Sequence, residues 1–347
     1  MPRRGRSERV TLADVARLAG VSTTTASKVL NGRSDVGART RERVLEVMAE
    51  LGYRPTTARH QKTRERAILT VLDFVESRYA GTVLQGILVA ANAAQAELLL
   101  HLPPEKPAAV SRQAARTWLE QRRESGVVGV IVLAAAMPDP VLLAAEDVEM
   151  PVVAIDPIDT TESRVVSIGS TNWAGGRSAT EHLIKLGHRR IAWIGGPLGS
   201  APSVERFHGY QAALHSAGIE ADRSLVRHEA FSFDAGFRHA LDLLSRDDRP
   251  TGIVAGNDEI ALGVLAAAGR LGIAVPRELS VTGFDDTPQT EWTTPRLTSV
   301  RQPLAGMGRM AVETVLAMAD GVQPASRHLQ LATTLSVRDS TGPAPAP

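Results

Sequence analysis

Beyond residue 66 the chain repeats one pattern that leaves few folds open: short β-rich apolar runs alternate with helical stretches. The runs are Ile68–Val75, Leu98–Leu102, Val127–Leu133, Val152–Ile155, Ile191–Ile194, Gly252–Ala255 and Leu279–Gly283. Between them, Val83–Ala96, Ala174–Leu186, Glu205–Ala217 and Glu259–Leu271 carry apolar residues at helical spacing. A strand that is apolar throughout needs cover on both faces, and the intervening helices supply it. The pattern predicts an α/β class with parallel sheets covered by helices on both sides, and the number of units is enough for two lobes. In such sheets ligands bind beyond the C-terminal strand ends, so the residues just after each strand are the ones to read for chemistry.

The first 66 residues follow a different rule. Leu12, Val15, Ala16 and Ala19 fall on one helical face, Thr11 and Asp14 have the spacing of a capping box, and Gly20 ends the helix. Ser22 caps a second predicted helix with Thr25, Ala26, Val29 and Leu30 inward, and Asn31-Gly32 reads as a turn. A third helix is predicted from about Arg41, with Val44, Leu45, Met48 and Leu51 inward and Gly52 as its stop. These make an all-α headpiece over residues 1–53, followed by a polar, basic linker over 54–66.

The charge divides at the same place. Residues 1–66 hold 15 Lys/Arg against 7 Asp/Glu, and the rest holds 24 against 31. A basic head on an acidic body is expected where only the head meets a polyanion. The basic residues interleave with apolar ones at helical spacing, which favours a folded surface over a basic tail.

The chain has no cysteine, which excludes disulfides, thiol catalysis and zinc–thiolate sites. Its best apolar run, Val127–Met137, falls well short of the ~20 residues of a membrane-crossing helix. The basic N-terminus has no apolar segment behind it, so a cytoplasmic protein without a membrane partner is expected. There is no Gly-x-Ser-x-Gly elbow, no phosphate loop and no His-Glu-x-x-His, and Gly195-Gly196-Pro197 lacks the spacing of a dinucleotide fingerprint. His182 and His188 stand six apart, a spacing that does not align them on a helix as metal ligands. No catalytic residue, metal site or cofactor is expected, and an enzyme reading has nothing to rest on.

The segment from Val10 to Asn31, VTLADVARLAGVSTTTASKVLN, strongly resembles the headpiece signature of the lactose-repressor (LacI/GalR) family. The resemblance implies a helix-turn-helix whose second helix enters the major groove of double-stranded operator DNA by its N-terminal end. Thr23, Thr24 and Lys28 then project from its exposed side, where hydroxyls and an ammonium group can meet base edges. Ser22, Thr25, Ser27 and Asn31 suit phosphate or capping contacts, and Thr11 joins them at the first helix. The bland reading of the same residues is a solvated helix face with ordinary caps. The likeness runs on through Gly52-Tyr53-Arg54-Pro55 to Ala58-Arg59, with Tyr53 and Arg59 as further DNA contacts. Where the family's hinge wedges a leucine into the minor groove, this chain has Gln61 or Lys62, and neither is an apolar wedge.

The body is similar to the same family, as in Glu181–Ile191, its helix-to-strand crossing. That implies a two-lobed, periplasmic-binding-protein-like domain over 67–340. The expected N-lobe is about 67–168 plus 303–325, the C-lobe about 169–302 plus 326–340, and 341–347 is expected to be a disordered tail. By resemblance Arg206, in Arg-Phe-His-Gly-Tyr, and Asp285, in Gly-Phe-Asp-Asp, bind the effector, the arginine offering a fork of donors and the aspartate accepting hydroxyl protons. Asn257, Asp156 and Gln302 fill analogous places at strand ends, Glu76 and Tyr79 follow the first strand, and Trp173 and Phe233 are candidates for a platform under a sugar ring. Each alone also reads as a cap or structural hydrogen bond. Together they form a neutral-to-acidic ring with one arginine, which suits a polyhydroxylated ligand. Ser167–Gly176 and Asp285–Pro288 are similar to an actinobacterial branch of the family that responds to plant-polysaccharide sugars.

The expectation is a homodimeric repressor whose operator affinity is controlled by a small sugar between the lobes, released from DNA by that inducer. The chain's end shows no leucine heptads that would build a tetramer. The alternatives are a sugar-binding module without a DNA role, a ligand acting as corepressor or activator, and a carbohydrate-active enzyme.

Overall fold

The computed structural model describes residues 11–30, 33, 36–51, 53, 66–72, 77–102, 110–157 and 165–346. The chain divides after residue 65 into two compact units.

The first unit holds α1 (Leu12–Ala19), α2 (Thr23–Leu30) and α3 (Ala38–Glu50). Thr11 and Asp14 close the expected capping box: the Asp14 N–H donates to Thr11 Oγ1 at 3.3 Å, and the Thr11 N–H donates to Asp14 Oδ2 at 3.0 Å. Gly20 takes the left-handed conformation that ends α1, at φ 66°. Ser22 Oγ accepts the Thr25 N–H at 3.0 Å and so caps α2. Val15, Ala16, Ala19, Ala26, Val29 and Val44 form the core. Three inward assignments are corrected. Leu45 is 51% exposed, because Val44 already takes the inward position and one residue turns a helix by about 100°. Thr25 and Leu30 are only half-buried and lie outside the core cluster, whereas the expected Met48 and Leu51, joined by Val47, pack against it. Asn31-Gly32, Gly52 and linker residues 54–65 lie outside the described residues.

In the second unit the first sheet takes its strands in the order β11-β5-β4-β3-β1-β2. They are β1 (Ala67–Leu72), β2 (Glu97–His101), β3 (Val127–Leu133), β4 (Val152–Ile155), β5 (Val166–Ser170) and β11 (His328–Leu331), all in parallel pairs. α4 (Arg78–Ala93) and α11 (Leu304–Ala319) cover one face, and α5 (Arg112–Glu124) and α6 (Asp139–Asp147) the other. The second sheet runs β12-β10-β9-β8-β6-β7. Its strands are β6 (Ile191–Gly195), β7 (Val226–His228), β8 (Gly252–Ala255), β9 (Ser280–Asp285), β10 (Thr298–Arg301) and β12 (Thr334–Ser336), with β12 antiparallel to β10. α7 (Asn172–Lys185) and α8 (Ala201–Ser216) pack on one side, and α9 (Phe233–Leu244) and α10 (Asp258–Arg270) on the other. The two-sided cover explains why β1, β4, β6, β8 and β9 are buried along their length and β3 everywhere but at Val128.

The chain crosses between the sheets after β5, after β10 and between β11 and β12. This moves the lobe boundaries. β5 runs on to Ser170 in the first sheet, and β11 pairs with β5 there, so residues 326–331 belong with the N-lobe rather than the C-lobe. The tail differs too, for a definite reason. His188 is fully buried and must satisfy both ring nitrogens. Thr251 Oγ1 lies 2.9 Å from Nδ1, while Ser280 Oγ and the Gly342 carbonyl lie 2.9 and 3.1 Å from Nε2. Thr341 Oγ1 lies 2.9 Å from His182 Nε2, and the Ala344 N–H donates to Leu186 O at 2.8 Å. Residues 341–344 are thus part of the C-lobe, and the two histidines serve packing. Burial holds His188 below its ordinary pKa, which keeps the ring neutral. Among the described residues no helix is long and apolar enough to cross a membrane.

α7 and α8 cross with their backbones touching. A side chain at Gly176 would strike the Arg206 carbonyl, and one at Gly209 would strike the Trp173 carbonyl. This contact sets where Arg206 stands. Gly176→Ala is expected to cost about 1–3 kcal/mol by overpacking and to loosen ligand binding by shifting Arg206. Denaturant unfolding and ligand titration of the same variant check both; unchanged stability would contradict it.

Candidate functional site

Between the C-terminal ends of the two sheets lies a cavity of about 530 Å³. Its walls come from both lobes. Tyr79 and Asp156 stand on the first, and Arg206, Asn257, Asp285 and Phe231 on the second. Three wall residues at C-terminal strand ends, Ala134 just after β3, Asp156 just after β4 and Asp285 as the last residue of β9, have positive φ (46°, 43° and 107°). L-residues rarely adopt that conformation, and such strain gathers where side chains must be aimed.

Arg206 is the centre of the network at 4% exposure. Its Nε donates to Asn172 Oδ1 at 2.8 Å and its Nη1 to the Gly256 carbonyl at 2.8 Å. Asp285 Oδ1 lies 3.5 Å from Nη1, and the guanidinium lies 3.8 Å from the centre of the Phe284 ring. Gln302 stands behind the cavity wall and donates from Nε2 to Asp285 Oδ1 at 2.6 Å, while its Oε1 accepts the Ser170 hydroxyl at 2.5 Å. Across the cavity Tyr79 OH donates to Asp156 Oδ2 at 2.6 Å. Asn257 caps α10 through Oδ1, which accepts the Ile260 N–H at 2.9 Å. Thr171 and Thr333 join two of the three crossovers, their hydroxyls 2.9 Å apart.

The charge balance is acidic. Burial pushes the Asp285 carboxyl up to about 7, against the opposing pull of Arg206. Burial raises Asp156 as well, and raises the Tyr79 hydroxyl well above its ordinary value. Two carboxyls and an amide facing one arginine can accept several hydroxyl protons, while the arginine and Asn257 donate.

The headpiece offers a second surface. Thr23, Thr24 and Lys28 are exposed on α2, Ser22 and Thr25 are engaged in its cap, and Ser27 is half-buried. Tyr53 is half-buried against the headpiece core, with its N–H on the Met48 carbonyl at 3.0 Å, and the Thr11 hydroxyl donates to Asp14 at 2.6 Å.

The chain matches the family model "Bacterial regulatory proteins, lacI family" over residues 11–56 and a "Periplasmic binding protein-like domain" over 180–341. It is 34% identical to the HTH-type transcriptional regulator CelR of Thermobifida fusca over 350 residues, 96% of this chain and 99% of the relative. It is 31% identical to the ribose operon repressor of Haemophilus influenzae, over 95% and 98% of the two chains. The chain belongs to the lacI family. It is a DNA-binding transcriptional regulator, and the family's members are not enzymes. Among solved structures, the CelR–cellobiose complex superposes with a TM-score of 0.70 at 31% identity, covering 96% of this chain and all of that one. The lac repressor dimer bound to operator and the anti-inducer ONPF gives 0.76 at 27%, with the same coverage.

Of the effector residues expected in this regulator, Tyr79, Asp156, Arg206, Asn257 and Asp285 meet at one cavity, with Gln302 directly behind it. Trp173 and Phe233 do not line it. They are 43% and 42% exposed, Trp173 beneath the Arg177 guanidinium and Phe233 stacked on Phe237. Besides Tyr79, the aromatic part of the wall is Phe231, which precedes the Ser232 cap of α9 instead of entering the helix. Asn172 and Asp258 carry no local sequence signal for their places in the network. Asp258, fully buried, accepts from the Thr287 N–H and from the Ser299 hydroxyl at 2.7 and 2.6 Å and so fixes the turn after Asp285. Glu76, Asn31 and Arg59 lie outside the described residues.

The raised Asp285 carboxyl gives a signed prediction. The folded state holds this proton more tightly than the unfolded chain. The associated stabilisation is therefore full at low pH and is lost as pH rises through about 7. Between about pH 5 and about pH 7 the wild type should lose stability relative to Asp285→Asn, by at most about 1.4 kcal/mol per pH unit. Parallel pH curves for the two proteins would contradict it.

Proposed function

We propose that this regulator is a repressor whose hold on its operator is weakened by a small sugar bound between the lobes. The observation that carries the reading is the cavity's donor set. Two carboxyls, an amide and one arginine converge from both lobes beside Tyr79 and Phe231, a polar ring with aromatic cover that matches a polyhydroxylated ligand. The similarity to a regulator solved with cellobiose and to a ribose operon repressor supports it.

A ligand held by Asp156 on one lobe and by Arg206 and Asp285 on the other draws the lobes together. The strain falls on the crossovers, two of which are joined by Thr171–Thr333, while Ser170–Gln302–Asp285 ties them to the cavity wall. For the sugar to weaken DNA binding it must prefer the DNA-incompetent arrangement, and operator then weakens sugar binding by the same factor. In this reading Thr23, Thr24 and Lys28 meet base edges, while Thr11, Ser22, Thr25, Ser27, Asn31, Tyr53 and Arg59 contact phosphate or position the helix. The regulator works in the cytoplasm as a homodimer, because two headpieces on a near-palindromic operator need a two-fold body. The lac repressor relative was solved as a dimer, and Leu88 and Val89 of α4 here remain 48% and 64% exposed.

Operator affinity measured with and without a panel of mono- and disaccharides tests the sign. A loss of about ten-fold or more is expected with the effector; tighter binding with sugar would make the ligand a corepressor. Lys28→Ala should cost about 1–3 kcal/mol and relax preference at one base pair. An equal loss on all sequences would assign Lys28 to phosphate.

A further inference from the structure

A second cavity of about 210 Å³ adjoins the first, and the two share Asp156 and Pro202 as wall. Asp156 presents one oxygen to each side of its task. Oδ2 is taken by the Tyr79 hydroxyl, whereas Oδ1 is buried and has no hydrogen-bond partner. Oδ1 lies on the side of Gly169: a methyl built there would stand 3.1 Å from it, and Gly169 lines the second cavity, not the first. A buried carboxylate oxygen without a partner is costly unless something donates to it. The same chamber is walled by Glu205, whose carboxyl burial raises, and by Ser170 and Asn172 at the first crossover. Its outer side is formed by β11, where His328 and Gln330 are exposed.

Arg206 lines the main cavity but not this chamber, whose lining holds Asp156 and Glu205 and neither a lysine nor an arginine, so the chamber is dominated by acceptors. That excludes a phosphate or carboxylate and suits a group rich in hydroxyl donors. We infer that the chamber is a second sugar subsite, so that the effector is a disaccharide or longer saccharide lying across Pro202 with one unit in each cavity. The inference rests on the sugar reading of the main cavity. It also connects ligand length to the crossovers, because Ser170 and Asn172 face the second unit while Ser170 holds Gln302.

The test is calorimetric titration of the full chain with glucose and cellobiose, xylose and xylobiose, and mannose and mannobiose. The wild type should bind one disaccharide at least about ten-fold more tightly than its monosaccharide. Gly169→Ala, which sets a methyl against Asp156 Oδ1, and the isosteric Glu205→Gln should erase most of that advantage and leave the monosaccharide unchanged. Equal affinity for both lengths overturns the subsite and leaves the sugar reading standing. So does an advantage that survives both variants. Failure of every saccharide to bind overturns both.

Discussion

A guanidinium sealed from water must have its charge and its donors answered by the protein around it, and Arg206 is the point where this structure meets that demand. Its answering groups come from three segments: Asn172 at the start of α7, Gly256 after β8, and Phe284 with Asp285 at the end of β9. Each is placed by a different piece of the fold. α7 reaches Arg206 only because Gly176 and Gly209 let two helices touch backbone to backbone. Asp285 is aimed by a strained φ and by Asp258 beneath the following turn. Breaking the pair from one side would leave the other charge buried and unpaired, a loss of several kcal/mol.

From that centre the polar network runs outward to the crossovers. Asp285 accepts from Gln302, Gln302 accepts from Ser170, and both Gln302 and Ser170 sit where the chain leaves one sheet for the other. A ligand that perturbs Asp285 therefore acts on the hinge without any intermediary layer. The acidic excess in the cavity gives such a ligand its opportunity: burial leaves Asp285 near a pKa of 7 and Asp156 with an unanswered oxygen, and hydroxyl donors relieve both.

Much of this was legible in the residues. Strands buried on both faces must be apolar throughout, so Val127–Leu133, Val152–Ile155 and Gly252–Ala255 could be read residue for residue. β5, β11 and β12 could not. Their Ser, Gly, Thr and Gln residues alternate with few apolar ones, because they lie at or near sheet edges and are half-covered. The lobe boundary and the ordered tail were hidden for a related reason: β11 is specified by its pairing with β5, and Gly342 by His188 more than 150 positions away. In the site, the residues just after strands announced themselves by position. Phe231 did not, since choosing it over Phe233 depends on Ser232 being the cap that separates a cavity-wall residue from a helical one. Asn172 and Asp258 were illegible because their partners lie far along the chain.

The central claim is that one ligand is held by both lobes at once, through Asp156 on the first and the Arg206–Asp285 pair on the second. A crystal structure of the full chain with its effector tests it most directly. The account predicts ligand hydroxyls within hydrogen-bond distance of Asp156 and of Arg206 or Asp285 in the same molecule. A ligand seated on one lobe alone, with the other set of groups still facing water, would contradict it.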